Sequence, residues 1–204
     1  SPASEQGKVT KSSPMGSIDY PFNPVSLALG AEATFVARSI DTDKAHLTGV
    51  LRRAAEHKGS VFVEIYQNCN VYNDGAFDAV RADKANRILL EHGQPIRFSG
   101  EGETLEQGVV TRPGGGVEIV DVDSVGEDAL LCHDESAEDP SLAFALSRLS
   151  HTPVGPTPIG IFRAVERPVY DELMAEQIEG TRRELGDGDL TKLLHTGDTW
   201  RIGD

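Results

Sequence analysis

The side chains best suited to chemistry in this 204-residue chain are two cysteines, Cys69 and Cys132. Cys69 lies in Tyr66-Gln67-Asn68-Cys69-Asn70-Val71-Tyr72-Asn73-Asp74, just past the run Val61-Phe62-Val63-Glu64-Ile65-Tyr66 that reads as a strand. Open α/β sheets bind ligands outside the carboxyl ends of their parallel strands. A cysteine there either faces a ligand or is a small residue filling a strand–loop joint. Cys132, in Leu130-Leu131-Cys132-His133-Asp134, reads as structural. The two lie far apart and neither belongs to a Cys-x-x-Cys pair. The chain therefore cannot build a four-cysteine metal site by itself.

The other candidates reduce to turns and surface. The six histidines, His133 among them, show no His-x-x-x-His spacing. A Gly-Asp-Gly run after a strand can hold Mg²⁺ and a diphosphate, with an Asn further along completing the site. Gly186-Asp187-Gly188-Asp189 instead ends a polar helix. Only 15 residues follow it, and none is Asn. It reads as a helix cap and turn. Pro113-Gly114-Gly115-Gly116 lacks the Lys-Ser/Thr of a phosphate loop and reads as a hairpin turn. Lys8 and Lys11 are the concentrated cations near the start, placed to meet a phosphate or an acidic partner, or solvated.

Composition limits the partners. Lys and Arg number 19 against 33 Asp and Glu, a formal charge of −14. Neither a nucleic-acid backbone nor an anionic membrane suits such a chain. Hydrophobic residues make up 38%, which with the 21 glycines is enough for a core. No apolar run approaches the ~18 residues of a membrane span. No apolar h-region marks the first residues, and two cysteines make no disulfide scaffold. A cytoplasmic location is expected.

The elements that must position Cys69 come from local signals. Residues 1–22 read as loop. Asn23-Pro24 starts a short helix, with Asn as cap and Pro in the first position. Thr34-Phe35-Val36-Ala37-Arg38 is a strand. Leu47, Val50, Leu51, Ala54 and Ala55 form one helical face, capped by Thr42 or Asp43 and closed at Lys58-Gly59. The strand 61–66 follows and is expected to be largely buried. Helix, strand, helix, strand indicates a parallel sheet covered by helices. Two strands with two helices cannot cover both faces, so Phe35, Val36, Val61 and Val63 should lie partly bare. On this ground the first third reads as the second half of a doubly wound domain, and the chain as a C-terminal part whose first half lies upstream. Further on, the patterns predict a helix over 78–92 and short strands at 96–98, 108–111 and 117–120. A helix opening at Asp139-Pro140, a strand at 159–162 and a helix over 169–185 complete the set.

Residues 11–38, Lys-Ser-Ser-Pro-Met-Gly-Ser-Ile-Asp-Tyr-Pro-Phe-Asn-Pro-Val-Ser-Leu-Ala-Leu-Gly-Ala-Glu-Ala-Thr-Phe-Val-Ala-Arg, resemble the β subunit of 2-oxoacid:ferredoxin oxidoreductases, most closely the 2-oxoglutarate type. The stretch 46–73, with Gln67-Asn68-Cys69 leading into Tyr72-Asn73, continues the likeness. So do Asp134-Glu135 and residues 158–163. The resemblance implies an α/β fold, the second half of a doubly wound thiamine-diphosphate-binding domain with a C-terminal α+β extension. Residues 1–22 would continue from the upstream half, 23–78 would complete the diphosphate domain, and 79–204 would form the extension packing on it. It implies thiamine diphosphate, Mg²⁺ and a [4Fe-4S] cluster on four cysteines, three early and one late. Cys69 matches the late one, the sole metal ligand expected in this chain. Where the family often has Pro before that cysteine, this chain has Asn68. The other cofactor-binding residues would lie upstream, and no catalytic residue is assigned. The implied reaction is oxidative decarboxylation of a 2-oxoacid to acyl-CoA and CO₂, with electrons passing through the cluster to ferredoxin. The implied partners are an α subunit, the upstream half of the β subunit, ferredoxin, the 2-oxoacid and coenzyme A. Two alternatives compete: the diphosphate domain of a thiamine enzyme without a cluster, and a non-catalytic acidic α/β interaction module.

Overall fold

Asn23 starts the first helix as its residue type predicts. Its side chain accepts the Ser26 N–H at 3.0 Å, and Pro24 takes the first position of α1 (Pro24–Gly30), where a missing N–H goes unfelt. The computed structural model describes residues 4–99, 106–149, 156–200 and 202–203. β1 (Phe35–Ile40) leads into α2 (Lys44–Glu56), which Asp43 caps through the His46 N–H at 3.2 Å. Val50 and Ala54 are the buried part of the apolar face of α2. β2 (Val61–Tyr66) pairs parallel with β1, from Phe35 opposite Val61 to Ile40 opposite Tyr66.

The helix expected over 78–92 is corrected. It ends after α3 (Asp78–Ala82), and Asp83 caps a single 3-10 turn by accepting the Ala85 N–H at 2.8 Å. Residues Arg87–Leu90 then form β3. The spacing of Val80, Ile88 and Leu89 fits a helical face, but a short apolar run fits a buried strand equally well. Tertiary pairing decides between them. Ile88 and Leu90 turn into the core and Leu89 turns out.

A small antiparallel sheet follows as expected, in the order β4 (Arg97–Ser99), β5 (Glu106–Thr111), β6 (Val117–Asp121). The Arg112 N–H donates to the Gly116 carbonyl at 3.0 Å across the turn between β5 and β6, confirming the hairpin. Then come α4 (Val122–Val125), α5 (Ser141–Ser147) and β7 (Thr157–Ala164).

β7 sets the topology. It lies between β1 and β3, giving the order β2-β1-β7-β3, antiparallel to β1 and parallel to β3. The sheet is therefore four-stranded and mixed, and the chain covers most of it from its own residues. Phe35 and Val36 are 1% and 0% exposed, which corrects the expectation that they lie bare. Val36 joins Val25, Leu29, Leu146 and Phe162 in a core that continues into Ile96, Phe98, Val109 and Val117. Phe35 and Ala37 pack with Val50, Ala54 and Ile161. Val61 remains 42% exposed because β2 is an edge strand, not the largely buried one its composition suggests.

Contacts divide the chain into a unit over 1–167 and a unit over 168–204. The sheet of the first unit crosses position 78, since β3 and β7 join β1 and β2. The second unit carries α6 (Tyr170–Leu185) and α7 (Leu190–Leu194), neither with a buried residue. Gly186 ends α6 at φ +80°, and the Asp189 carboxylate accepts the Lys192 N–H at 3.0 Å, so this segment is the cap and turn its sequence suggested. Among the described residues, no helix is long and apolar enough to cross a membrane.

Candidate functional site

The end of β2 is held firmly. Arg38 of β1 is buried and donates from Nε to Glu64 Oε2 at 2.6 Å. Its guanidinium lies 5.0 Å from the Tyr66 ring centroid, and Tyr66 stacks on Phe77 at 4.2 Å. Burial pushes the Tyr66 hydroxyl up to about 12 against the pull of Arg38. The strand thus delivers the following residues from a fixed point.

Those residues form a closed loop. Asn68 Oδ1 accepts the Gly75 N–H at 2.9 Å, and Asn68 Nδ2 donates to Asp74 Oδ1 at 2.9 Å. Within it the Asn73 N–H donates to the Cys69 carbonyl at 2.9 Å, forming an isolated antiparallel bridge. Asn73 itself is buried, and its Oδ1 has no hydrogen-bond partner. Lys8 ends against this loop, its ammonium donating to the Asp74 carbonyl at 3.0 Å, a structural use its sequence did not announce.

Cys69 is half-buried and free. The backbone amides of Tyr72 and Val71 hold its thiol below the ordinary pKa, against the upward push of partial burial, and that of Asn73 adds to them. Backbone N–H groups turned toward sulfur favour the thiolate, the form that binds metals. Cys132 is exposed and free, in a bridge with Pro95. Its neighbour His133 is buried, with Nε2 2.7 Å from the Ile161 carbonyl, and burial lowers its pKa. That is a core histidine. Among the described residues, no three His, Cys, Asp or Glu side chains gather to hold a metal ion. Cys69 thus fits a single thiolate position, and any multi-ligand cluster must draw its other ligands from outside these residues. Sequence reasoning found the cysteine but missed Asn68, Asn73 and Lys8 as its surroundings. The Asp74-Gly75 turn signal was the available hint.

Residues 3–65, ending within β2, match the family described as thiamine pyrophosphate enzyme, C-terminal TPP binding domain. Across 206 aligned residues the chain is 49% identical to the 2-oxoglutarate oxidoreductase subunit KorB of Mycobacterium tuberculosis, covering 99% of this chain and 54% of that protein. The chain matches the C-terminal part of a 2-oxoacid:ferredoxin oxidoreductase β subunit. It is also 39% identical over 74 residues to the 2-oxoacid:ferredoxin oxidoreductase subunit beta of Saccharolobus solfataricus, 36% of this chain and 24% of that protein. A solved 2-oxoglutarate:ferredoxin oxidoreductase from Magnetococcus marinus, with 2-oxoglutarate, coenzyme A and succinyl-CoA bound, shares the fold. Its TM-score is 0.61 at 20% identity, over 98% of this chain and 52% of that one. The chain thus spans about half the length of the Mycobacterium relative.

Proposed function

We propose that this chain is part of the β subunit of a 2-oxoglutarate-type oxidoreductase, one that decarboxylates a 2-oxoacid oxidatively, forms the acyl-CoA and passes electrons to ferredoxin. Residues 23–78 then belong to the thiamine-diphosphate-binding domain, and the later elements are an extension that adds β3 and β7 to its sheet. Thiamine diphosphate, with Mg²⁺, supplies the carbanion chemistry of decarboxylation, and a [4Fe-4S] cluster takes up the electrons. The chain's own contribution is to present one thiolate, Cys69, at a fixed place. The α subunit and the upstream half of the β subunit supply the remaining groups, in the cytoplasm.

The observation that carries this reading is the Cys69 loop: an accessible thiol under three backbone amides at the carboxyl end of β2, in a chain 49% identical to a 2-oxoglutarate oxidoreductase subunit. The test is Cys69→Ser in the native complex. Iron should fall by about one atom in four or be lost altogether, with reduction of ferredoxin slowed and much of the thiamine binding spared. Cys132→Ser should leave both iron and rate nearly unchanged. A Cys69→Ser complex with full iron and full electron transfer would remove the cysteine from the cluster. The match at residues 3–65 suits a thiamine enzyme without a cluster as well. A native complex devoid of iron would favour that alternative.

A further inference from the structure

Between Tyr66 and Gly75 the backbone belongs to neither sheet, so the path that presents Cys69 must be fixed locally. The closure falls to one amide. Asn68 accepts from the Gly75 N–H and donates to the Asp74 carboxylate, both at 2.9 Å, joining the two ends of the loop. Gly75 sits at φ +75°, the turn that brings its N–H round to Asn68. Lys8 tethers the same end through the Asp74 carbonyl at 3.0 Å. Inside this closed neck the Asn73 N–H donates to the Cys69 carbonyl at 2.9 Å, and the backbone amides of Val71, Tyr72 and Asn73 bear on the sulfur.

We infer that Asn68 is the positioning residue of Cys69, its side-chain amide locking the loop so that the backbone amides of residues 71–73 stay on the sulfur. The inference rests on the reading of Cys69 as a cluster ligand; the locking of the loop stands apart from it. An aliphatic side chain at 68 offers neither acceptor nor donor. The loop then opens into solvent, and the N–H groups leave the thiolate. Hydrogen bonds to cluster sulfurs favour the more negative, reduced state, so their loss moves the cluster to lower potential.

The experiment uses the native complex with Asn68→Ala and with the double exchange Asn68→Asp/Asp74→Asn. The exchange keeps the net charge and both bonds: Asp at 68 accepts from the Gly75 N–H, and Asn at 74 donates back to it. Hydrogen exchange at the Asn73 and Gly75 amides should quicken about tenfold in Asn68→Ala and return to wild-type rates in the double exchange. The cluster's midpoint potential, measured by EPR-monitored titration, should fall in the first and recover in the second. Unchanged exchange rates in Asn68→Ala overturn the lock. Faster exchange with an unmoved potential overturns the link to the sulfur, as does a potential that the double exchange fails to restore. Failure of the cluster reading itself shows separately, as full iron in Cys69→Ser.

Discussion

Glu64→Gln should be among the most damaging single changes to the fold for its size. Arg38 is 2% exposed and Glu64 14%, with Nε and Oε2 at 2.6 Å. The Arg38 Nη1 also donates to the Pro158 carbonyl at 3.3 Å, and the cation lies 5.4 Å from the Phe162 ring centroid. These neighbours are neutral, so Glu64 is the counter-charge. Replacing it with Gln preserves shape and leaves a buried cation unpaired, a change that typically costs about 3–5 kcal/mol. Because Glu64 is slightly open to water, the lower end, about 3 kcal/mol, is expected. Arg38→Met should cost less, about 2 kcal/mol, since the freed carboxylate sits on edge strand β2 within reach of solvent and the loss is mainly packing. The pair Arg38→Met/Glu64→Leu removes both charges and should cost well below the sum, a coupling of about 2 kcal/mol. Urea denaturation followed by tryptophan-independent far-UV circular dichroism gives all three values. A Glu64→Gln cost under about 1 kcal/mol, or strict additivity in the pair, would refute the assignment of Glu64 as the partner that neutralises the sheet's interior.

Two further outcomes follow from the same sheet and its surroundings. Gly160→Ala should destabilise by about 2–3 kcal/mol, because Gly160 sits at φ +127° and a Cβ would lie 2.7 Å from the Leu90 carbonyl oxygen; equal urea midpoints would contradict the β3–β7 pairing. Stability should fall as pH drops below about 6.5: burial holds His133 and His46 below their ordinary pKa, so the unfolded chain takes up protons that the folded one refuses. His133→Gln should flatten part of that slope, and an unchanged slope would place His133 in water.

The parts of this fold that could be read from the residues are those written locally. Asn23-Pro24 and Asp43 mark helix starts by chemistry that acts within three residues, and Val50 with Ala54 declares the inner face of α2. The parallel β1–β2 pair follows from the helix, strand, helix, strand order. β3 and the place of β7 could not be read this way. The run Ile88-Leu89-Leu90 carries no period of its own, and its strand state depends on pairing with residues some seventy positions later. Position 160 in β7 is a glycine because the Leu90 backbone comes too close for a Cβ, a reason visible only once the two strands are neighbours. The expectation of bare strand faces went astray at this point: it counted the strands nearby and not the ones that return.

The candidate site divides along the same line. Cys69 was legible because a cysteine past the carboxyl end of a parallel strand is unusual enough to question. Asn68, Asp74 and Gly75 were not, since polar loop residues become a lock only when a particular closure pairs them. The edge position of β2 connects the two halves of the argument. Val61 and Ile65 stand 42% and 41% exposed on the strand that delivers Cys69, while the strands behind it are sealed by the chain's own core. Under the proposed reading the other cluster ligands come from outside the described residues, and a thiolate shared with another body must be carried where that body can reach it. A loop springing from the edge strand meets this need without opening the core, and the Arg38–Glu64 pair beneath it keeps that edge rigid.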